Sequence, residues 1–303
     1  MGSLLSAVSL LKMMLACSAD ATSSVIDMEL KQQVDVFVGH TTAPWGTTYF
    51  CHRIPSAIRL PSGTVLAFAE SRVGGCEDGE PPGRDDITMK KSTDDGRTWG
   101  QLTLVASPAN DSAAHFSARN PYPTVDARGR LLLSWVNSTS WSSSSRRQTW
   151  QRISTDEAAT WSVDTLMGLG ALDGSLLGPG QGIVLGRHAP ASAHRGRIVV
   201  CGATGYGGAI LGGQSAAVWT SDDNGASYQP STGSDRAVPM PFKGLAECQA
   251  VELRNGSVLL NLRNELGSRQ PPSHVHKRAV AISHDGGRSF GPYVSCSDLC
   301  CRC

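Results

Sequence analysis

The sequence predicts an all-β propeller, and three observations carry that prediction. First, one short pattern, Ser-x-Asp-x-Gly-x-(Ser/Thr)-aromatic, recurs four times. The copies run from Ser92 to Trp99, Ser154 to Trp161, Ser221 to Tyr228 and Ser283 to Phe290, so their starts are 62, 67 and 62 residues apart. That period suits a four-stranded blade with its loops and is too long for an ordinary helical solenoid. Second, short β-branched and aromatic runs lie between turn signals in a chain with 33 Gly and 16 Pro. Third, no helix pattern of matching strength competes with them. A propeller made of 303 residues is one domain with a repeated core.

The repeat has the residue types of a strand-to-strand turn. Ser and Asp oxygens bond nearby backbone N–H groups, Gly accepts a positive φ, and the aromatic ring pins the turn to the sheet. Ala158 stands where the other three copies have Gly, which predicts a strained or rearranged turn there.

Residues 1–24 read as a signal peptide or disordered leader: an apolar run from Leu4 to Leu15, interrupted by Lys12, ends near Ala16 and Ala19. Asn110, Asn137 and Asn255 open Asn-x-(Ser/Thr) triplets, which agree with a secretory route to an extracellular or lysosomal compartment. Past the first twenty residues no stretch is long enough for a membrane-spanning helix, so none is expected after leader removal.

Residues 25–294 are expected to form the propeller. From Val34 onward, apolar strands alternate with turns. Ala57–Leu60 and Thr64–Ala69 flank Pro-Ser-Gly, Thr124–Val125 and Leu131–Val136 flank a turn at Gly129, and Val251–Leu253 and Val258–Leu262 flank Asn255-Gly256. Each pair reads as a hairpin. The Ser-rich run Ser138–Ser145 is a loop within the domain.

Residues 295–303 form a Cys-rich tail of no assigned structure. Its Cys296, Cys300, Cys301 and Cys303 have no His among them, so neither zinc nor any other metal or cofactor is expected. The nine cysteines define no disulfide scheme. The balance of 27 Lys+Arg against 26 Asp+Glu argues against nucleic acid as a partner.

His52-Arg53-Ile54-Pro55-Ser56 precedes the first hairpin, and Ala67-Phe68-Ala69-Glu70-Ser71-Arg72 closes it. Asn120-Pro-x-Pro123, Gly178-Pro-Gly-x-Gly182, Glu247-Cys-Gln249 and Leu260-Asn261-Leu262-Arg263-Asn264 follow in order. Together with the repeats, known as Asp boxes, this series from about residue 35 to 290 resembles the sialidases (exo-α-neuraminidases). The resemblance implies a six-bladed β-propeller family, here with about four blades and the ring not closed. It also implies a retaining exo-α-sialidase acting on terminal sialic acid of glycoproteins, glycolipids or oligosaccharides, with sialylated glycans as partners.

What the resemblance implies for single residues follows from the substrate's charge. Sialic acid carries a carboxylate on its anomeric carbon, and guanidinium groups bind it through paired hydrogen bonds. Arg53, with Ile54 beside it, and Arg263 match two of three such arginines. In a hydrophobic strand, Arg263 would otherwise be a costly buried cation. Asp78 matches the general acid on the loop after Arg72, with Glu77, Asp85 and Asp86 as nearby competitors. Arg72 and Asn120 match contacts to the sugar, and Tyr206 joins them from its local position. The nucleophile of the family is a tyrosine, because a second carboxylate would be repelled by the substrate's own. Glu247 matches the base that activates it. The third arginine and the tyrosine are expected downstream of Arg263 in two further blades. Tyr293 follows the fourth box too closely for that position. The expectation is therefore an acid, a base and two arginines without the nucleophile, and the alternative reading is a non-catalytic sialic-acid-binding propeller. Arg53, Arg72, Glu247 and Arg263 in context argue against an Asp-box protein unrelated to sialidases.

Overall fold

The structure, a computed structural model, describes residues 33–77, 84–107, 117–138, 147–169, 176–187, 189, 192–204, 215–232, 242–264 and 278–295. Among these the chain is all β, with no helix long and apolar enough to cross a membrane. A short hairpin, β1 (Thr41–Thr42) and β2 (Thr48–Tyr49), precedes four antiparallel sheets.

Blade 1 is β3 (Cys51–Arg59), β4 (Val65–Arg72), β5 (Asp85–Ser92) and β6 (Thr103–Ala106). Blade 2 is β7 (Ser117–Val125), β8 (Leu131–Ser138), β9 (Gln148–Ser154) and β10 (Thr165–Leu166). In blade 3 the first strand is split into β11 (Leu176–Leu177) and β12 (Ile183–Val184), both paired with β13 (Ile198–Thr204). The blade continues with β14 (Ser215–Ser221) and β15 (Gln229–Pro230), while β16 (Phe242–Lys243) pairs back onto β14. Blade 4 is β17 (Leu245–Glu252), β18 (Val258–Asn264), β19 (Ala279–Ser283) and β20 (Val294–Ser295). The three predicted hairpins are present as β3–β4, β7–β8 and β17–β18. The Ser-rich loop falls almost wholly outside the described residues.

Three apolar clusters fill the gaps between successive blades. Phe68, Ile87, Leu131 and Trp135 lie between blades 1 and 2, and Leu132, Ile198, Val200 and Trp219 between blades 2 and 3. Val199, Val218, Leu245 and Leu260 lie between blades 3 and 4. Neighbours on β13 therefore face opposite clusters: Ile198 and Val200 point to blade 2, Val199 and Cys201 to blade 4. A strand covered on both faces needs a continuous apolar run, which is what Ile198–Cys201 and Leu131–Leu133 are. Strand β18 alternates instead, with Leu260 and Leu262 buried and Arg263 exposed.

All four Asp boxes join the third strand of a blade to the fourth, and all four have the same hydrogen bonds. In the first, the Ser92 hydroxyl donates to Asp94 Oδ1 (2.8 Å) and accepts from the Gly96 N–H (2.9 Å). Asp94 also accepts from the Thr98 N–H and hydroxyl (2.9 and 2.6 Å). Both residues after the Asp are left-handed, as a type I′ turn requires: Asp95–Gly96, Glu157–Ala158, Asn224–Gly225 and Gly286–Gly287. Ala158 keeps every bond of the motif and takes up the strain as φ 66°. The turn is strained and not rearranged.

Each later box also docks on the blade before it. Glu157 accepts from Thr64 (3.0 Å), and the Gly225 carbonyl accepts from Gln151 (3.0 Å) while the Tyr228 hydroxyl donates to the same side chain (2.7 Å). The Asp285 and Gly286 carbonyls accept from Arg197 (3.1 and 3.2 Å).

Candidate functional site

Chain direction puts the boxes at one end of the sheets and the matched residues at the other. Arg53 and Asn120 stand near the starts of first strands β3 and β7, Glu247 near the start of β17, and Arg72 and Arg263 at the ends of second strands β4 and β18. The first strands share a further feature at this end, where their pairing is interrupted. Register shifts fall between Arg53 and Ser56, Arg119 and Tyr122, and Leu245 and Cys248; in blade 3 the break between β11 and β12 takes their place. Ile54 (φ 48°), Asn120 (φ 53°) and Gly178 (φ 80°) are left-handed at these breaks, and each precedes a proline. A residue before proline ordinarily prefers extended backbone, and a β-branched one at positive φ is an outlier. Such bulges re-aim side chains beside active sites. Strain at the same position in successive blades marks this end as the candidate site.

In blade 1, Arg53 lies directly across from Glu70, and Glu70 shares a face with Arg72 two residues on. The Glu70 carboxylate is fully buried. Its Oε2 accepts from Arg72 Nε (3.2 Å) and Nη2 (2.6 Å), and its Oε1 accepts the backbone N–H of Asn120 (2.8 Å). Burial pushes the Glu70 carboxyl above its ordinary range, and the Arg72 guanidinium and the Asn120 N–H pull against that shift. The Asn120 side chain donates onward to the Leu177 carbonyl of blade 3 (2.9 Å). Three blades are thereby tied together at the site end.

The segment after β4 is fastened by the same groups. Arg53 Nη1 donates to the Cys76 carbonyl (2.8 Å), and Arg72 Nη1 donates to the carbonyls of Cys76 (3.1 Å) and Glu77 (2.8 Å). Cys51 and Cys76 form a disulfide with Cα atoms 5.8 Å apart, a pairing the cysteine spacing did not define. Arg72 is thus almost wholly enclosed (2% exposed), with the loop carbonyls on one side and Glu70 on the other.

Of the three competitors of Asp78, Glu77 is exposed and the other two are held in structural contacts. Asp85 is ion-paired with buried Arg119 (2.7 Å). Asp86 is fully buried and accepts from Tyr49 (2.6 Å) and Ser107 (2.8 Å). Asp78 and Tyr206 themselves lie outside the described residues.

In blade 4, Arg263 Nη1 donates to Glu247 Oε1 (3.0 Å). Arg263 is not a buried cation, the costly alternative to a binding role: its side chain is 52% exposed, because β18 alternates. The arrangement offers an accessible guanidinium beside a carboxylate that is 30% exposed. Among the described tyrosines, Tyr49, Tyr122 and Tyr228 are buried, and burial raises the pKa of each phenol. Among the described residues no group of His, Cys, Asp and Glu is arranged to hold a metal ion.

Glu70 lies within the motif Ala67–Arg72, where the sequence assigns a role to Arg72 and none to it. An acidic residue in the apolar run Val65–Arg72, two positions from an arginine, was the available signal, since a buried carboxylate needs a partner on its own face.

Comparison with known proteins adds a family to this geometry. Residues 63–299 match the BNR repeat-like domain. A sialidase of Micromonospora viridifaciens is 30% identical over 268 residues, covering 82% of this chain and 37% of the relative. A sialidase of Paraclostridium sordellii is 29% identical over 267 residues, covering 82% of this chain and 59% of the relative. Among solved structures, a Hadza microbial sialidase superposes with a TM-score of 0.65 at 22% identity, covering 82% of this chain and 47% of the other. The chain thus spans 37% and 59% of the lengths of these two sequence relatives.

Proposed function

Since the chain belongs to the BNR repeat-like domain family and is related in sequence to sialidases, we propose that its bulged end is a retaining exo-α-sialidase site for terminal sialic acid. The observation that carries this reading is the pairing of Arg263 with Glu247 at the same end of the sheets as Arg53, Arg72 and Asn120. It joins an anion-binding group to a proton acceptor, which sialoside cleavage requires.

In the proposed reaction Arg53 and Arg263 hold the substrate carboxylate by charge-assisted hydrogen bonds. Ile54 and Tyr206 line the sugar, and the buried Arg72 and Asn120 support that wall of the site from behind. Asp78 gives its proton to the departing glycosidic oxygen as the bond to the anomeric carbon breaks. Glu247 serves as the base for the phenolic nucleophile that this chemistry requires, a group that none of the residues assigned to the site supplies. Water then releases sialic acid with retained configuration, and Asp78 and Glu247 return to their starting protonation. A secretory route fits glycans as substrates.

The test is release of 4-methylumbelliferone from its α-sialoside by the full chain. Asp78→Asn should abolish any turnover and leave sialic acid binding in place. Binding without turnover in the wild type would leave a sialic-acid-binding propeller, and absence of both would overturn the reading.

A further inference from the structure

Glu70 is a buried carboxylate bonded to Arg72 and to the Asn120 N–H, at the register position across from Arg53. Arg53 lies across from it and Arg72 two residues along, and both guanidinium groups donate to the single Cys76 carbonyl. Buried Arg119, on the adjacent blade and itself paired with Asp85 (2.7 Å), lies in its surroundings as well. Like charges gathered this closely in a poorly solvated place repel unless a counter-charge stands among them. Glu70 supplies that charge and also fixes geometry. One of its oxygens fills the fork of Arg72, and the other holds the N–H of Asn120, whose left-handed conformation ahead of Pro121 is unfavourable on its own.

We propose that Glu70 is a positioning residue of the sialic acid site, acting through Arg72 and Asn120 to hold one blade's arginine and the next blade's bulge in register. This rests on the sialoside reading above. A positioning role and a bare charge role predict opposite signs. Glu70→Gln removes one negative charge from an anion site, which by electrostatics alone would tighten sialic acid binding. Loss of the Arg72 fork and of the Asn120 anchor would weaken it. Geometry should win, because charge-assisted hydrogen bonds to a buried group are stronger than a screened field at the site mouth.

The experiment is a double-mutant cycle on the full chain, with sialic acid affinity read by calorimetry for wild type, Glu70→Gln, Arg72→Met and the double variant. Glu70→Gln should weaken binding about tenfold. On the Arg72→Met background the same change should cost clearly less, since the partner is already gone. Hydrogen exchange should rise together in the peptides holding residues 73–77 and 117–125. Unchanged or tighter binding in Glu70→Gln, or additive losses, would overturn the proposal. If Glu70→Gln does not fold, Glu70→Asp, which keeps the charge but shortens the reach, takes its place in the cycle with the same expected outcomes. Wild type that binds no sialic acid would instead defeat the sialoside reading. The hydrogen-exchange coupling would still decide whether Glu70 holds the two segments together.

Discussion

One position of the Asp box can be tested from both sides, because the protein places Ala158 where its other boxes have Gly. Gly225→Ala puts a side chain at φ 84°, which costs roughly 1–2 kcal/mol in the left-handed region. The new Cβ would also clash with Cδ2 of the buried Leu132, adding roughly 1–3 kcal/mol of overpacking. A loss of about 3 kcal/mol is expected, and the melting temperature should fall by roughly 6–12 °C. Ala158→Gly relieves roughly 1–2 kcal/mol of the same strain. It gives up about 0.8 kcal/mol of methyl burial and roughly 0.4–1 kcal/mol through a more flexible unfolded chain. Its net effect should lie within about 1 kcal/mol of zero. Urea unfolding of the two variants beside wild type decides the matter. A Gly225→Ala change that alters stability by less than about 0.5 kcal/mol would refute the claim that the third box is locked into blade 2.

Two further outcomes follow from the same structure. Hydrogen bonds from Thr98 and Ser92, and from Thr160 and Ser154, hold the Asp94 and Asp156 carboxyls down to about 2, and Asp223 and Asp285 are lowered despite partial burial. Carboxyls lower in the folded than in the unfolded chain add stability above the unfolded value, near 3.8, and lose it as pH falls towards 2. Stability should therefore decline through that window, and Asp223→Asn should flatten the decline in acid unfolding curves; an unchanged curve would count against the box bonds. Reducing the Cys51–Cys76 bond, which closes a separation of 25 residues, should cost about 3.5 kcal/mol. Cys76→Ser should match reduced wild type in urea, and wild type indifferent to reductant would contradict this.

The hairpins were legible because their turn signals are local: Pro-Ser-Gly before Thr64, Gly129 after Arg128, Asn255-Gly256. Blade 3 was not, because its first strand breaks at Gly178–Pro179 and a long segment replaces the tight turn before Ile198. Arg53, Arg72, Asn120, Glu247 and Arg263 could be placed from motif and order, and the structure gathers them at one end of the sheets. Their mutual arrangement could not. Which residue faces Arg53 depends on β3–β4 register, and a bulge at Ile54 shifts that register where local preference argues against a positive φ. The exposure of Arg263 depended likewise on which faces of β18 are covered, a property of blade packing and not of the strand's own composition. The Cys51–Cys76 pairing is of the same kind, since it is set by where β3 begins and β4 ends.

The central claim is that Arg53 and Arg263 bind the carboxylate of sialic acid. Calorimetric titration of sialic acid into wild type, Arg53→Ala and Arg263→Ala tests it most directly. Loss of a charge-assisted pair should weaken binding roughly 10- to 100-fold in each variant. Affinity unchanged by both substitutions would contradict the account.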